Sequence, residues 1–311
     1  MKDGYNREIS YMRLSLTDRC NFRCKYCMPQ GYYLNSRELT YDELYDICVC
    51  AVELGIKKIR LTGGEPLLRD DIVGFCKLVS NINGLEELTL TTNGSLLAKY
   101  CEALKLAGVS RINISLDTLK SNRFKALTGV DKFAEVINGI ETAKNIGFKQ
   151  IKINVVLMKN INLDEISDFV ELTKNDNVSI RFIELMPIGN YLDYNNLYVP
   201  ADIVLESEPE LKLIKTNGVA QIYQKPGYLG TVGLIKPMSQ KFCDMCNRIR
   251  VTSDGKIKPC LHSSDEYDLI GLKGDKLKLK FLEAINNKPN SHILNETCFS
   301  SLTRYMNQIG G

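Results

Sequence analysis

No run in the 311-residue chain approaches the ~18 consecutive apolar residues that would cross a membrane as a helix. The first residues, MKDGYNREIS, lack the apolar stretch of a secretion signal. A cytoplasmic protein with no membrane partner is therefore expected. Neither sign of charge dominates. There are 40 Lys and Arg against 37 Asp and Glu, and the formal net charge of +3 is too small to point to nucleic acid. No G-x-G-x-x-G follows the first strand-like run, which counts against a dinucleotide fold. The composition, 44% hydrophobic and 25% charged, is that of an ordinary globular chain. Its length suggests about two domains.

Cysteine is not scarce: there are 11. Many cysteines without a secretion signal read as metal ligands, not as a disulfide framework. Six fall in two triplets: Cys20-x3-Cys24-x2-Cys27, and Cys243-x2-Cys246-x13-Cys260. Cys48, Cys50, Cys76 and Cys101 are expected as small buried hydrophobes on helices; Cys298 has no assignment. Thiolates select zinc, copper or an iron–sulfur cluster. A structural zinc needs four closed ligands, whereas a 4Fe–4S cluster held by three cysteines keeps one iron open. Zinc with a borrowed fourth ligand stays an alternative at both triplets. At the second, His262 lies two residues past Cys260 and is the obvious candidate.

From residue 12 to about 186, strand patterns alternate with helical ones. Strands are predicted at 12–17, 57–62, 87–92, 111–116, 150–157 and 178–185. Helices are predicted at about 41–55, 71–80, 95–107, 131–146 and 163–174. Gly55, Gly108 and Gly147 close three of these helices. Six β units joined by helices imply an α/β fold with a parallel sheet and right-handed crossovers. An incomplete (β/α)6 barrel fits, as does an open sheet. Residues 219–311, with short strands and a Ser253-Asp254-Gly255 turn, read as a smaller α+β region covering the barrel mouth. The expected division is 1–218 and 219–311.

Strand parity separates two faces. One is apolar: Leu14, Leu16, Ile59, Leu61, Leu88, Leu90, Ile112, Ile114, Ile151 and Ile153. The other carries Arg13, Ser15, Thr17, Arg60, Thr62, Thr89, Thr91, Asn113, Ser115, Asp117, Lys152, Asn154 and Arg181. Burying that face dry would cost a few kcal/mol per unpaired group. Since helices cover the outer face of a parallel sheet, a wet cavity is expected; a solvent-facing side of the sheet is the alternative. Arg13, Arg60, Lys152 and Arg181 converge from four strands, which suits a ligand with several negative charges. Arg248 and Arg250 follow the second triplet with one parity and add to this set if they face inward. The motifs Gly63-Gly64-Glu65-Pro66, Thr91-Thr92-Asn93-Gly94 and Ser115-Leu116-Asp117 end strands. With the first triplet they would share the rim where such barrels carry their active sites.

In combination these features resemble the radical S-adenosylmethionine (SAM) enzymes, and among them the family of GTP 3′,8-cyclases that open molybdenum cofactor (molybdopterin) biosynthesis. The resemblance covers nearly the whole chain. It rests on the first triplet with Tyr26 before its last cysteine, the Gly63–Pro66 and Thr91–Gly94 motifs, Ile114 to Asp117, Arg181 to Met186, the second triplet with Arg248-x-Arg250, and the final Gly310-Gly311. It implies that Cys20, Cys24 and Cys27 hold a 4Fe–4S cluster whose open iron chelates SAM. It implies that Cys243, Cys246 and Cys260 hold a second 4Fe–4S cluster facing the guanine of GTP. Tyr26, Gly64, Ser115 and Met186 would contact SAM. Arg13, Arg60, Thr91, Lys152, Arg248, Ile249 and Arg250 would bind GTP. Arg248, Arg250, Gly310 and Gly311 would serve catalysis.

The reaction it implies is abstraction of H3′ of GTP by a 5′-deoxyadenosyl radical derived from SAM, then bonding of C3′ to guanine C8. The product would be 3′,8-cyclo-7,8-dihydro-GTP. An electron donor, a downstream cyclic pyranopterin monophosphate synthase and a homodimer complete the partners considered. The loop from Cys27 to Thr40 and the C-terminal extension look short for this family. Two other readings stay open: a radical SAM peptide-modifying enzyme with an auxiliary cluster, and a non-enzymatic zinc-stabilised binding module.

Overall fold

The computed structural model describes residues 1–28, 37–188, 194–292 and 304–310. Gly311, Cys298 and most of the loop between Cys27 and Thr40 lie outside the described residues. The alternation read from the sequence folds in order as β1 (Tyr11–Ser15), α1 (Tyr41–Glu53), β2 (Lys58–Thr62), α2 (Ile72–Ser80), β3 (Glu87–Thr92), α3 (Leu97–Leu106) and β4 (Arg111–Ser115). There follow α4 (Ser121–Thr128), α5 (Phe133–Ile146), β5 (Gln150–Leu157), α6 (Ile166–Glu171) and β6 (Val178–Glu184). The rest is α7 (Tyr194–Leu197), α8 (Ile203–Ser207), β7 (Lys212–Asn217), β8 (Ala220–Gln224), β9 (Thr231–Ile235), β10 (Arg248–Val251), β11 (Lys256–Lys258), β12 (Tyr267–Asp268) and α9 (Gly274–Asn286).

One sheet holds all twelve strands, in the order β12-β11-β10-β1-β2-β3-β4-β5-β6-β9-β8-β7. β1 to β6 lie side by side and parallel. The C-terminal region extends this sheet at both ends: β10 pairs parallel with β1, and β9 parallel with β6. Eight parallel strands thus form the barrel-like wall, with antiparallel hairpins beyond each end. The two outer parallel strands bring the second cysteine triplet, next to β10, to the same wall as the first.

Parity works as a side chain's position demands. Leu14, Ile59, Leu61, Leu90, Ile112, Ile153, Ile180 and Phe182 are buried in one core with Leu44 and Ile47 of α1, Phe75 of α2, Val136 of α5 and Phe169 of α6. Each such side chain contributes roughly 1.5–3 kcal/mol by leaving water. Cys48, Cys50, Cys76 and Cys101 are buried in the same layer, on α1, α2 and α3. Thr40 starts α1 with a reciprocal cap: its side chain accepts from Glu43 N–H, and the Glu43 carboxylate accepts from Thr40 N–H.

The sequence reading placed no helix between Asp117 and residue 131, and α4 fills that gap. It is only eight residues long and no side chain caps its start, so its local signal is weak. Its tertiary contacts are strong. Phe124 packs edge-on against Phe22 with ring centroids 5.6 Å apart. Arg23 N–H and Lys25 N–H donate to Thr128 O and Leu127 O at 2.8 and 3.2 Å. The helix is a shelf for the first cysteine loop.

Candidate active site

The first triplet begins just beyond the C-terminal end of β1, and the neighbouring turns fix its path. Gly63 has φ +146°, and a Cβ there would stand 2.4 Å from Thr17 O. At Gly64 a Cβ would stand 2.2 Å from Arg19 O. Both glycines are therefore required by the chain leading into the cysteines, which gives the pair a structural reason as well as any ligand contact. Glu65 is fully buried and accepts from Leu67 N–H at 3.0 Å, Thr92 Oγ1 at 2.8 Å and Asn93 N–H at 2.7 Å. Burial pushes its carboxyl up to about 7, against those three donors. Asn93 turns its Nδ2 to Asn21 Oδ1 at 2.8 Å and to Cys20 Sγ at 3.8 Å. Three strand ends and the cysteine loop are thus locked together.

Tyr26 donates to Asp117 Oδ2 at 2.7 Å, while Val156 N–H donates to Oδ1 at 2.8 Å. Burial pushes the Asp117 carboxyl up to about 6. The thiols are also pushed up: Cys20 to about 11 and Cys27 to about 12 by burial, and Cys24 well above its usual range by burial and then by its two partners. Three close thiols that resist ionisation alone are suited to a cationic cluster, which supplies the missing positive charge.

At the second triplet, Cys243 opens a tight turn and Cys246 N–H returns to its carbonyl at 3.0 Å. Burial pushes the Cys243 thiol up, as do Cys260 and Cys246. Cys246 goes the other way: burial opposes it, but Lys288 and Arg248 draw it down. Lys288 Nζ donates to Arg248 O at 2.9 Å and Pro259 O at 2.6 Å, tying both arms of the triplet. His262, the fourth ligand of the zinc alternative, meets His292 edge-on with centroids 4.8 Å apart, and burial lowers it to about 3. Among the described residues, no three His, Cys, Asp or Glu side chains are arranged to hold a single metal ion. Cluster thiolates each take a separate iron, so both triplets fit a three-cysteine cluster by donor chemistry.

Between the triplets lies the polar face. Register sets Arg13 beside Arg60 and Arg250, Tyr11 beside Lys58 and Arg248, and Arg60 beside Thr89. It sets Asn113 beside Lys152, Arg111 beside Gln150, and Asn154 beside Arg181. Arg13, Lys58, Arg60, Arg111, Lys152, Arg181, Arg248 and Arg250 thus share the inward parity. Glu87 is the only carboxylate at those strand positions, and it is already engaged by Lys58 at 2.5 Å and Arg111 at 3.0 Å. The cations repel one another: Lys152 is lowered to about 6 by burial and then by Arg181, Arg111, Arg60 and Lys58. Arg60 is lowered to about 9 by burial, with Arg13, Arg111 and Arg248 adding to it. The hydroxyl of Thr91 and the Nε of Arg181 and Arg248 are buried without hydrogen-bond partners among the described residues. An excess of unneutralised charge with unused donors is a site for a polyanion.

The predicted residues fall mostly together. Arg13, Arg60, Thr91, Lys152, Arg181, Arg248 and Arg250 have the inward parity; Ser115 lies at the end of β4. Met186 packs near Ile188, Leu261, Met306 and Ile309, beside the chain's tail. Ile249 lies between Arg248 and Arg250, and alternation along β10 turns its side chain the other way, into the core beside Met12. Gly310 takes φ +72°, and a Cβ there would stand 2.3 Å from Thr62 Oγ1 and 3.5 Å from Ser15 Cβ, so the tail lies against the inward ends of β1 and β2. Arg250 Nη1 donates to Ile309 O at 3.0 Å and to Gly310 O.

Tyr11, Lys58 and Arg111 were missed. Each stands two residues before a residue that parity did select, so extending the alternation by one step would have found them. Lys288 and Asn307 had no local signal.

Comparison with known proteins follows the same lines. Residues 14–173 match the Radical SAM superfamily, and residues 178–294 match Molybdenum Cofactor Synthesis C. The GTP 3′,8-cyclase of Peptoclostridium acidaminophilum is 47% identical over 99% of this chain and 98% of its own length. That of Alkaliphilus metalliredigens is 44% identical over the full length of both. Among solved structures, Streptococcus suis SuiB shares the fold with a TM-score of 0.60 at 15% identity, covering 93% of this chain and 68% of SuiB. On these matches, the chain belongs to the GTP 3′,8-cyclase family of radical SAM enzymes.

Proposed function

We infer that this chain cyclises GTP to 3′,8-cyclo-7,8-dihydro-GTP with SAM as cosubstrate, the first step of molybdenum cofactor biosynthesis. Family membership supports the reaction class and implies SAM and 4Fe–4S cofactors. The observation that carries the substrate is the cradle between the triplets: eight inward cations against one carboxylate, Glu87, on strands β1 to β6 and β10. A nucleoside triphosphate is the simplest metabolite that matches such an excess and still offers a base and a sugar.

Cys20, Cys24 and Cys27 would hold the first cluster, and Cys243, Cys246 and Cys260 the second. With cluster and SAM bound at the first triplet, the chemistry available is one-electron cleavage of SAM to a hydrogen-abstracting carbon radical. This chain's own residues bind and orient. Tyr26, Gly64, Ser115 and Met186 line the rim proposed for SAM. Arg13, Arg60, Lys152, Arg181, Arg248 and Arg250, with Thr91, would hold the triphosphate and so fix where the ribose stands. Rigid strands suit that task, because an ångström of drift at the reacting carbon costs rate. Gly310 and Gly311 would shut the cavity against water.

The half at 1–218 would generate the radical, and 219–311 would bring the second triplet and Arg248-x-Arg250. A cytoplasmic setting, an external electron donor and a downstream cyclic pyranopterin monophosphate synthase belong to the same reading; a homodimer is its remaining element. Among the described residues no helix is long and apolar enough to cross a membrane. The test is anaerobic turnover with GTP, SAM and a strong reductant, together with metal analysis. About eight iron per chain, 5′-deoxyadenosine and the cyclised nucleotide are expected. Zinc in place of iron after attempted reconstitution, with SAM left intact, would overturn the reading.

A further inference from the structure

Tyr11 is the one aromatic at the inward strand positions of the eight-stranded wall. It opens β1, in register with Lys58 of β2 on one side and Arg248 of β10 on the other. Its ring takes three cations: Lys58 Nζ lies 5.2 Å from the centroid, the guanidinium carbon of Arg60 5.5 Å and that of Arg248 5.7 Å. The residue is 7% exposed, and its hydroxyl is buried with no hydrogen-bond partner among the described residues. A buried hydroxyl left unpaired calls for an explanation. Here the neighbours are all donors, and they engage the ring.

We propose that Tyr11 is a positioning residue for the polyphosphate, whose ring spaces Arg60 and Arg248 across the cradle and whose hydroxyl donates to a phosphate oxygen once the anion is bound. This deepens the GTP reading and rests on it. Two physical points support it. First, Arg60 and Arg248 sit on β2 and β10, strands that flank β1, and without an electron-rich surface between them their charges would drive the side chains apart. An aromatic face attracts both at once and fixes them without neutralising them, so both remain free to take phosphate. An aliphatic side chain would fill the volume and give no such hold; a carboxylate would cancel the charge the ligand needs.

Second, the hydroxyl lies in a field of four cations. Burial would raise its pKa, but Arg60, Arg13, Arg248 and Lys58 bring it down to about 7. A bound polyanion offsets that field and favours the protonated phenol, the form that donates. The same field explains why no donor on the protein needs it, and why an incoming acceptor would.

The experiment uses the full, cluster-loaded chain and three probes: GTP, inorganic tripolyphosphate and guanosine. Binding is measured by anaerobic calorimetry for the wild type, Tyr11→Phe and Tyr11→Leu. Tyr11→Phe keeps the ring and removes the hydroxyl. It is expected to bind GTP and tripolyphosphate roughly tenfold more weakly, the effect of one hydrogen bond to a charged group, and to bind guanosine as the wild type does. Tyr11→Leu is expected to lose more on the two phosphate probes, and to gain a smaller thermal shift in tripolyphosphate than the wild type does. A merely structural tyrosine would weaken guanosine along with the other two, and that result overturns the proposal. So does Tyr11→Phe binding GTP within about twofold of the wild type. Wild-type protein that takes neither GTP nor tripolyphosphate overturns the functional reading first; wild-type binding with an unchanged Tyr11→Phe overturns this inference alone.

Discussion

Arg250 Nη1 donates to the carbonyl oxygen of Ile309 at 3.0 Å, across 59 residues of sequence. The contact fastens the end of the chain inside the cavity. Two more ties support it: Asn307 Nδ2 donates to Asp18 O at 2.9 Å, and Arg304 bridges Asp254 and Glu266. The tail therefore arrives between both cysteine triplets with little freedom. Because a Cβ on Gly310 would stand 2.3 Å from Thr62 Oγ1, Gly310→Ala cannot keep this path. Cyclisation is expected to fall at least tenfold, an order-of-magnitude figure for ångström-scale misplacement. Iron content and melting temperature should stay near wild type. Full turnover by Gly310→Ala, or by a chain lacking Gly310 and Gly311, would refute the role given to the tail.

Lys152 gives a pH prediction with a definite sign. In the empty cradle its ammonium is lowered to about 6, first by burial and then by four neighbouring cations. At pH 7.5 it is mostly neutral, and a bound polyphosphate favours the charged form. GTP binding should therefore take up a proton, and affinity should weaken as pH rises from about 6 into the range of an ordinary lysine, near 10. Stability without ligand should move oppositely. The unfolded chain holds the proton that the folded chain has lost, so stability rises with pH over the same window. Calorimetry in buffers of different ionisation enthalpy measures the uptake. Equal uptake by wild type and Lys152→Met would show that the proton goes elsewhere.

The shelf under the first triplet can be tested apart from the chemistry. Phe124 is 2% exposed and holds Phe22 on one side and Phe133 on the other, both with centroids 5.6 Å away. Phe124→Ala should destabilise the fold by about 3–5 kcal/mol. It should also loosen the loop that presents Cys24 and Cys27. The expected signature is a lower melting temperature with iron loss confined to the first cluster. Equal loss from both clusters would mean that α4 supports the barrel generally and not this loop.

The parts of this molecule that could be read from sequence are those with a local repeat. Period-two alternation found the inward face, because Leu14 must be dry if Arg13 is wet. Cysteine spacing found both triplets, since ligands on one turn need fixed intervals. α4 escaped because two turns without a cap carry little local signal, and its hold on Phe22 is a tertiary contact. The way β9 and β10 extend the sheet at both ends was also hidden, since nothing near Arg248 in sequence encodes a partner as distant as Tyr11. Lys288 escaped for the same reason: its three neighbours, Cys246, Arg248 and Pro259, lie 29 to 42 residues upstream.

Lys288 also supplies the sharpest test of the second triplet. It is 3% exposed, with its ammonium on Arg248 O at 2.9 Å and Pro259 O at 2.6 Å. Its third interaction is with the thiol of Cys246, which it helps to draw down while Cys243 is pushed up. A positive charge beside a cluster favours the more negative, reduced form, and hydrogen bonds to ligand sulfur act in the same direction. Lys288→Met keeps the length and removes the charge. The second cluster's midpoint potential should fall by some tens of millivolts, where about 59 mV is a tenfold shift for one electron. The first cluster should not change. The two carbonyls left without a donor should cost roughly 1–3 kcal/mol each at most, visible as a lower melting temperature. Redox titration followed by electron paramagnetic resonance separates the two clusters. A fall confined to the second would establish Lys288 as its cationic brace. Full iron with both potentials unchanged would reduce Lys288 to a structural tie between β10 and the residue before Cys260.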